Sequence, residues 1–336
     1  MLRALESAVR RLGLPGRGVL VAASGGIDST VLLHALVSLP KRLGLRVAAG
    51  HVNHGLRAAE SDADEVFVGE LAEQLAIPFR AYRVWPKRLR EGASSRTRPT
   101  LQEACRRLRY EALAAQGADL GLEHVVTAHT ADDQAETVLL RLLRGTAGDG
   151  LAGIPERSSD GRIVRPLLAV TRAEILDYAG RHGLLWREDA SNLSEAYARS
   201  RLRTRWLPDL ARDFNPGLLR SLCRLAESQR RDAAWMESLV EREAQERFRI
   251  EDGAIWIEPG GWSELPEALA YRLARWALRR AGLARDVSNI HLSRIVRFLG
   301  STVPGREIEL PGDLVLTRQR HGFRLCARGV QPGAAC

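Results

Sequence analysis

Between residues 17 and 128, short apolar runs alternate with longer amphipathic ones. Val19–Ala23, Leu45–His51, Phe79–Val84 and His124–Ala128 have the length and β-branched content of buried strands. Ile27–Leu39, Glu60–Ala76, Thr100–Ala115 and Asp132–Arg144 carry helical periodicity. Strictly alternating strands and helices predict an α/β fold built on a doubly wound parallel sheet, whose ligands bind beyond the carboxyl ends of the strands. The polar, chemically capable residues fall just there, in Ser24–Ser29, His51–Arg57 and His129–Glu136.

Two stretches break the pattern. Pro86 to Pro99 is basic and polar and is expected to be a mobile loop, and the glycine-rich stretch Arg144 to Gly161 a second loop over the site. Thr171 and Glu174 have capping-box spacing and predict a helix start, and Tyr197–Leu210 reads as a very basic helix. At Asn215-Pro216-Gly217 the alternation stops. A long helix, Leu218–Phe248, is expected next, followed by a short strand near Ala254–Ile257 and helices over Pro266–Ala281 and Ser288–Leu299. Small strands at Glu307–Leu310, Leu314–Arg318 and Phe323–Ala327 close the chain, with Pro311-Gly312 as a turn. The expected division is therefore a catalytic domain over 1–215, a smaller α-rich accessory domain over 216–328 and a flexible tail over 329–336.

Composition narrows the class. The chain has 336 residues and a net charge of +9, with a pI near 10.1, which favours a polyanionic partner. Forty-eight of the 50 basic residues are arginine, since only Lys41 and Lys87 are lysines. Genomic base composition can explain that ratio, but in either case a phosphate contact here falls to a planar, bidentate guanidinium. The four cysteines, Cys105, Cys223, Cys326 and Cys336, form no CxxC pair, which speaks against a zinc site, an iron–sulfur cluster or a disulfide framework. No run approaches the length of a membrane span, and the start MLRALESAVRRLGLPG lacks a signal-peptide core, so a cytoplasmic protein is expected.

The most telling segment is Ser24-Gly25-Gly26-Ile27-Asp28-Ser29. A strand that breaks into Ser-Gly-Gly and restarts as a helix aims backbone N–H groups and a helix N-terminus at an anion. No Gly-Lys-Ser/Thr follows, so it is not a Walker A loop, and Asp28 stands where that motif puts a cation. A carboxylate there suits a metal-bound pyrophosphate and cleavage between the α and β phosphates of ATP.

Four more constellations accompany it. His51-Val52-Asn53-His54-Gly55-Leu56-Arg57 ends the second strand, where an adenine can meet backbone; taken alone, it reads more readily as a loop with surface histidines. Arg106, Arg109 and Tyr110 cluster on one helix side and could face an α-phosphate, or be a solvated basic face. His129, Asp133 and Glu136 share a face that can hold a metal or an ammonium group. Helix-dipole acids explain Asp132 and can extend to Asp133, but do not explain His129 or Glu136. Last come Asp189-Ala190-Ser191-Asn192 and then Arg199, Arg201, Arg203 and Arg205. Arginines at every second position cannot share one helix face, so some are expected to face the site and others nucleic-acid phosphates, unless the helix is simply solvated.

At these residues the chain resembles the PP-loop ATP pyrophosphatases, an adenine-nucleotide α-hydrolase-like fold, and within them the tRNA(Ile)-lysidine synthetases. SGGIDS is common to the superfamily. HVNHGLR, CRRLRY, TAHTADDQAETVLLRLLRGT, GLAGI, RPLL and the EDASN…R.RLR..WLPDL run are narrower and follow in order over residues 18–210, while LPGDLVLTR extends a looser likeness. Ser200 stands where that family usually has Asn. The resemblance implies a ligase that adenylates C2 of the wobble cytidine of tRNA(Ile) with a CAU anticodon, and then lets the ε-amine of L-lysine displace AMP. ATP and Mg²⁺ are implied, with Ser24, Gly25, Gly26, Ile27 and Ser29 on the pyrophosphate, Asp28 on the metal, and His51 and Val52 beside the adenine. It further implies Arg106 and His129 at the adenylate, Asp133 and Glu136 on the lysine, and His54, Arg57, Arg109, Arg199 and Arg203 on the tRNA or the adenylate. Whether the chain acts alone or as a homodimer stays open. Two rivals are a sulfur transferase using the same adenylation, which needs a thiol or cluster, and a non-catalytic basic RNA-binding module.

Overall fold

A computed structural model describes residues 1–56, 59–91, 98–188, 198–283, 287–300 and 303–329. It divides into two compact units, Met1–Arg230 and Arg231–Cys336.

The first unit runs α1 (Leu2–Arg11), β1 (Gly18–Ala22), α2 (Ile27–Val37), β2 (Arg46–Asn53), α3 (Ala59–Gln74), β3 (Phe79–Arg83), α4 (Pro86–Glu91), α5 (Leu101–Asp119), β4 (His124–Val126), α6 (Ala131–Leu143), α7 (Gly148–Leu151), β5 (Ile163–Val164) and α8 (Arg172–Arg181). The short α9 (Ala198–Arg201) then passes into a π-helical turn, Leu202–Trp206, and α10 (Leu207–Asp213), and α11 (Leu218–Arg247) starts here. The five strands form one all-parallel sheet in the order β3-β2-β1-β4-β5. From β1 the chain winds outward through β2 and β3, then returns to place β4 on the other side of β1. That reversal opens a crevice at the carboxyl ends of β1 and β4.

Alternation along β1 shows why both faces are covered. Val19, Val21 and Ala23 enter a core with Leu5, Val9, Val31, Leu32, Val68, Ile175 and Tyr178. Leu20 packs the other way, against Ala48, Leu113 and Val125. Helix α2 has little amphipathic character and is buried along most of its length, which fits its place inside the first of these layers. A Cβ on Gly50 of β2 would meet Gln116 Oε1 at 2.5 Å and Leu20 side-chain carbons at 3.0 Å, so only glycine lets α5 approach the sheet there.

The two stretches expected to be loops are more ordered than their composition suggests. Pro86–Glu91 is a helix, started by a proline whose missing N–H costs nothing at a first helical position; residues 92–97 lie outside the described ones. The glycine-rich stretch is fastened to α6. Gln134 and the Ile154 backbone exchange hydrogen bonds of 3.3 and 2.6 Å, and Arg141 donates to the carbonyls of Gly150 and Gly153 at 2.8 and 3.0 Å. The expected basic helix is interrupted by the π-helical turn, whose Leu202 enters a small core with Ala135, Val138, Leu139, Leu222 and Ala226. Tyr197 lies outside the described residues.

The second unit takes in the later part of α11, which therefore contributes to both. It continues with β6 (Phe248–Glu251), β7 (Ala254–Ile257), α12 (Glu267–Arg280), α13 (Asn289–Leu299), β8 (Glu307–Leu310), β9 (Leu314–Gln319) and β10 (Gly322–Ala327). Beyond the expected helices, its strands join into a single antiparallel sheet, β6-β7-β10-β9-β8. Phe248, Ile257, Leu273, Leu292, Leu316 and Phe323 fill the core between. Among the described residues no helix is long and apolar enough to cross a membrane. The expected flexible tail lies outside the described residues apart from Gly329.

Candidate active site

Strand β1 ends with the Ala23 N–H donating to Gly50 O at 2.9 Å, and the chain turns through Ser24, Gly25 and Gly26 into α2. Gly25 has φ +85°, a left-handed conformation that favours glycine. The loop is held from within. Ser29 Oγ accepts from Ser24 N at 3.1 Å and donates to Gly26 O at 3.0 Å, and the Thr30 hydroxyl and the Arg187 N–H both reach Gly25 O. Ser29 therefore shapes the loop, and Ile27 is anchored in the core behind it. The N-terminus of α2 points out of this turn at the crevice, as an anion site requires.

Next to the loop lies an alternation of carboxylates and guanidinium groups. Arg172 Nη1 donates to both Asp28 oxygens, at 3.0 and 2.9 Å, while the Arg172 backbone N–H donates to Asp132 Oδ2 at 2.7 Å. Thr171 and Glu174 form the expected capping box, which fixes Arg172 at the first position of α8. Asp133 closes a second capping box with Thr130 through Oδ2, leaving Oδ1 to Arg199 at 3.0 Å and Arg203 at 3.2 Å. Glu136, whose side chain is 1% exposed, accepts from Arg199 Nε at 2.7 Å and from Arg203 Nε at 2.5 Å, one on each oxygen. Asp28, Asp133, Glu136, Arg199 and Arg203 are thus brought together as one cluster. Arg172 and Asp132 belong to it too, and sequence reasoning missed their pairing. The capping box marks where Arg172 sits, but its side-chain partner is 144 residues away in sequence.

Burial raises the Asp28 pKa above the usual carboxylate value; Arg172 opposes that and neighbouring Asp133 adds to it. Among the described residues no three His, Cys, Asp or Glu side chains are grouped to hold a metal. Asp28 is the acidic residue in the first turn of α2, and a Mg²⁺ brought in on nucleotide phosphates needs no more than one or two protein carboxylates.

The histidines frame the other side. His51 is buried, with Nδ1 2.9 Å from Ala23 O and its carbonyl accepting from Gln116 Nε2 at 2.7 Å, so both polar groups are engaged within the protein. Val52 packs on the Leu20–Leu113 cluster. His54 Nδ1 is buried with no hydrogen-bond partner, and burial, helped by Arg109 and His51, pushes its pKa down to about 4. His129, 2.9 Å from the Thr127 hydroxyl, also falls to about 4: burial dominates, Asp133 opposes, and Arg165, Arg199 and Arg109 assist. Arg109 is thus close enough to act on both imidazoles. Arg106 and Arg109 lie 5.2 and 5.5 Å from the Tyr110 ring centroid, on the exposed side of α5. Arg57 and Asp189–Asn192 lie outside the described residues.

Both imidazoles are therefore neutral at pH 7. Because their folded pKa lies below the ordinary value of 6.5, they favour the folded state above that pH, and the contribution is lost as pH falls from 6.5 toward about 4. Replacing His129 with glutamine is expected to shrink the loss of thermal stability over that interval. A pH–stability curve identical to the parent's would mean that burial does not lower the His129 pKa.

A glycine-turned loop between a buried parallel strand and a helix, with a carboxylate in its first helical turn, defines a PP-loop nucleotide-binding domain. The chain belongs to the PP-loop domain family, whose model matches residues 2–210. Among proteins it resembles, the tRNA(Ile)-lysidine synthase of Solibacter usitatus is 40% identical over 301 residues, 88% of this chain and 64% of that one. The tRNA(Ile)-lysidine synthase of Geobacter sulfurreducens is 39% identical over 307 residues, 90% and 64% of the two chains. That of Thermus thermophilus is 37% identical over 311 residues, 92% of this chain and 56% of that one. The chain thus spans less than two thirds of these relatives' length. Among solved structures, the U34-tRNA thiolase NcsA from Methanococcus maripaludis, with its [4Fe-4S] cluster, superposes with a TM-score of 0.54 at 19% identity, covering 68% of this chain and 77% of that one. That likeness is one of fold.

Proposed function

We propose that this chain carries out the lysidine-forming reaction: ATP-dependent attachment of L-lysine to C2 of the wobble cytidine of a CAU-anticodon tRNA(Ile), in the cytoplasm, with release of pyrophosphate and AMP. The observation that carries the reading is the cluster of Asp28, Asp133 and Glu136 with Arg172, Arg199 and Arg203 beside the PP-loop. It supplies, within one crevice, cations for phosphates and carboxylates for an ammonium group.

In the first step the C2 carbonyl oxygen of cytidine attacks the α-phosphorus of ATP, and the α–β phosphoanhydride bond breaks toward pyrophosphate. The Ser24–Gly26 turn and the α2 N-terminus would hold the leaving pyrophosphate. Mg²⁺, held by Asp28 and the phosphates, would neutralise charge on that leaving group. Arg106 and neutral His129 would flank the α-phosphate, and Arg109 and His54 the base.

In the second step a lysine amine adds to C2 and the C2–O bond breaks, releasing AMP. A lysine ammonium enters a place where Asp133 and Glu136 already hold two guanidinium groups. It can trade with one of them, charge for charge, and the displaced Arg199 or Arg203 becomes available to the adenylate phosphate. The ammonium must then lose a proton before it is a nucleophile.

Sulfur transfer fits less well. Burial pushes the Cys223 thiol up to about 11, and it donates to Ala131 O at 3.4 Å; a nucleophilic or metal-binding cysteine needs the opposite shift. The deciding experiment is incorporation of labelled lysine into tRNA with ATP and Mg²⁺, comparing tRNA(Ile) with a CAU anticodon against the methionine tRNAs. Incorporation confined to the isoleucine tRNA is expected. ATP splitting to AMP and pyrophosphate without lysine incorporation would redirect the search to another nucleophile.

A further inference from the structure

The π-helical turn Leu202–Trp206 faces two ways. Leu202 is pinned in the small core beneath it, and Arg199 and Arg203 turn toward Asp133 and Glu136. Thr204, Arg205 and Trp206 turn to solvent. There Trp206 is 46% exposed, and the Arg205 guanidinium carbon lies 4.8 Å from its ring centroid. An isolated exposed tryptophan needs no explanation. The Trp206 ring already carries a stacked guanidinium, so a flat, electron-rich surface is held beside a positive charge. Trp85 is also exposed with an arginine, Arg88, 5.3 Å from its ring centroid, so it is the placement of Trp206 that sets it apart. It sits on a π-helical turn, an interruption that costs backbone geometry and recurs where a helix must aim side chains at a site. It also follows by three residues an arginine that bonds to the buried Glu136 of the reaction cluster.

Charge points to the class of occupant. From Ala198 to Pro208 the chain carries Arg199, Arg201, Arg203 and Arg205 and no acidic residue. With Arg199 and Arg203 committed to the carboxylates, Arg205 is the cation that stays with Trp206 at the surface. A flat aromatic face with an adjacent guanidinium matches an unpaired nucleobase and its phosphate, since any base can stack on the ring while the cation meets the backbone.

We infer that Trp206, with Arg205 beside it, is a stacking platform for an unpaired base of the anticodon loop next to the wobble cytidine. The inference rests on the tRNA reading above and deepens it by naming where a neighbour of the reacting base is held. A cytidine drawn out of its stack into the crevice leaves its neighbours without a stacking partner. A fixed aromatic plane at the rim replaces that partner and keeps the loop open during both steps.

The test uses the full chain with anticodon stem-loop RNA bearing CAU, and the same RNA with an abasic residue in place of each loop base beside the wobble position in turn. Loss of base–aromatic stacking predicts that Trp206→Ala binds the intact stem-loop about 10- to 100-fold more weakly, with the KM for ATP unchanged. Trp206→Phe, which keeps a ring, stays within about three-fold of the parent. On the matching abasic RNA, parent and Trp206→Ala bind with equal weakness, because the partner base is already gone. A role confined to packing would move the melting temperature and would penalise intact and abasic RNA alike. Normal binding of the intact RNA by Trp206→Ala, or an equal loss on every abasic RNA, overturns the platform. If the parent chain ignores the stem-loop altogether, the tRNA reading falls and the platform with it.

Discussion

Replacing Asp28 with asparagine is expected to cut pyrophosphate release by about 10²- to 10⁴-fold while leaving tRNA binding unchanged. The range follows from the several kcal/mol of charge stabilisation that a metal on a leaving group supplies, at about 1.4 kcal/mol per factor of ten. Asparagine matches the shape of Asp28 and can still accept from Arg172, so the loop should keep its form. What it loses is the negative charge that would hold the metal against pyrophosphate. The same substitution carries an opposite stability signature. Burial raises the Asp28 pKa, so the ionised carboxylate is less comfortable in the folded chain than in the unfolded one. For a carboxyl with a raised folded pKa, stability is present at low pH and is lost as pH rises through the folded value. The asparagine variant escapes that loss. It should therefore melt higher than the parent at pH 7, and the advantage should fade as the pH is lowered through the carboxylate range. A variant that is inactive and more stable near neutrality marks a residue kept for chemistry at a cost in folding. Unchanged turnover would remove Asp28 from the metal's side of the reaction.

Most of the nucleotide-binding frame was legible in the sequence, because local signals dictate it. The apolar runs at β1, β2, β3 and β4 announce parallel strands, and each falls within a residue or two of its predicted bounds; β3, expected to be buried, is instead an edge strand with Arg80 and Arg83 exposed, because no further strand among the described residues covers its outer side. Ser24-Gly25-Gly26 announces the turn, since the left-handed φ at Gly25 and the helix start at Ile27 are both written into residue type. Thr171 with Glu174 announces a helix start that the structure bears out as a capping box. What stayed hidden depends on contacts between distant residues. The bond of Arg172 to Asp28 joins the first turn of α8 to the first turn of α2, and nothing local to either marks the other. The fastening of the glycine-rich stretch through Gln134 and Arg141 was invisible for the same reason: composition reports backbone freedom, not the side chains that remove it. The antiparallel sheet of the second unit pairs β7 with β10 across both of its later helices, a register no window of sequence contains. The alternate arginines after Ala198 were read as facing two ways, and Arg203 and Arg205 do so; that a π-helical turn sets their directions was not foreseeable from spacing.

Glu136→Gln is expected to slow lysine transfer by about 100-fold or more while pyrophosphate release in a single turnover stays close to normal. The residue is the most buried member of the cluster, and both of its oxygens accept from guanidinium groups: Oε1 from Arg203, and Oε2 from Arg199 and Arg203. Glutamine keeps one acceptor but turns the other oxygen into an NH₂ that faces a guanidinium, donor against donor. Removing one partner of a fully buried ion pair costs about 3–5 kcal/mol. Here the arginine side chains are 46% and 39% exposed and can turn to water, so roughly 1–2 kcal/mol is the better expectation. The chain should thus remain folded with a lowered melting temperature. The charge loss falls hardest on the second step, because a lysine ammonium needs net negative charge where Arg199 and Arg203 already offset two carboxylates. Adenylate should accumulate on the tRNA, and raised lysine should restore part of the rate, as a KM effect. Glu136→Asp, which keeps the charge on a shorter stem, should recover more of the transfer than the glutamine variant does. If pyrophosphate release and lysine transfer fall together by the same factor and lysine restores neither, Glu136 serves only to hold Arg199 and Arg203 in place. The ammonium would then have to be bound by Asp133 without it.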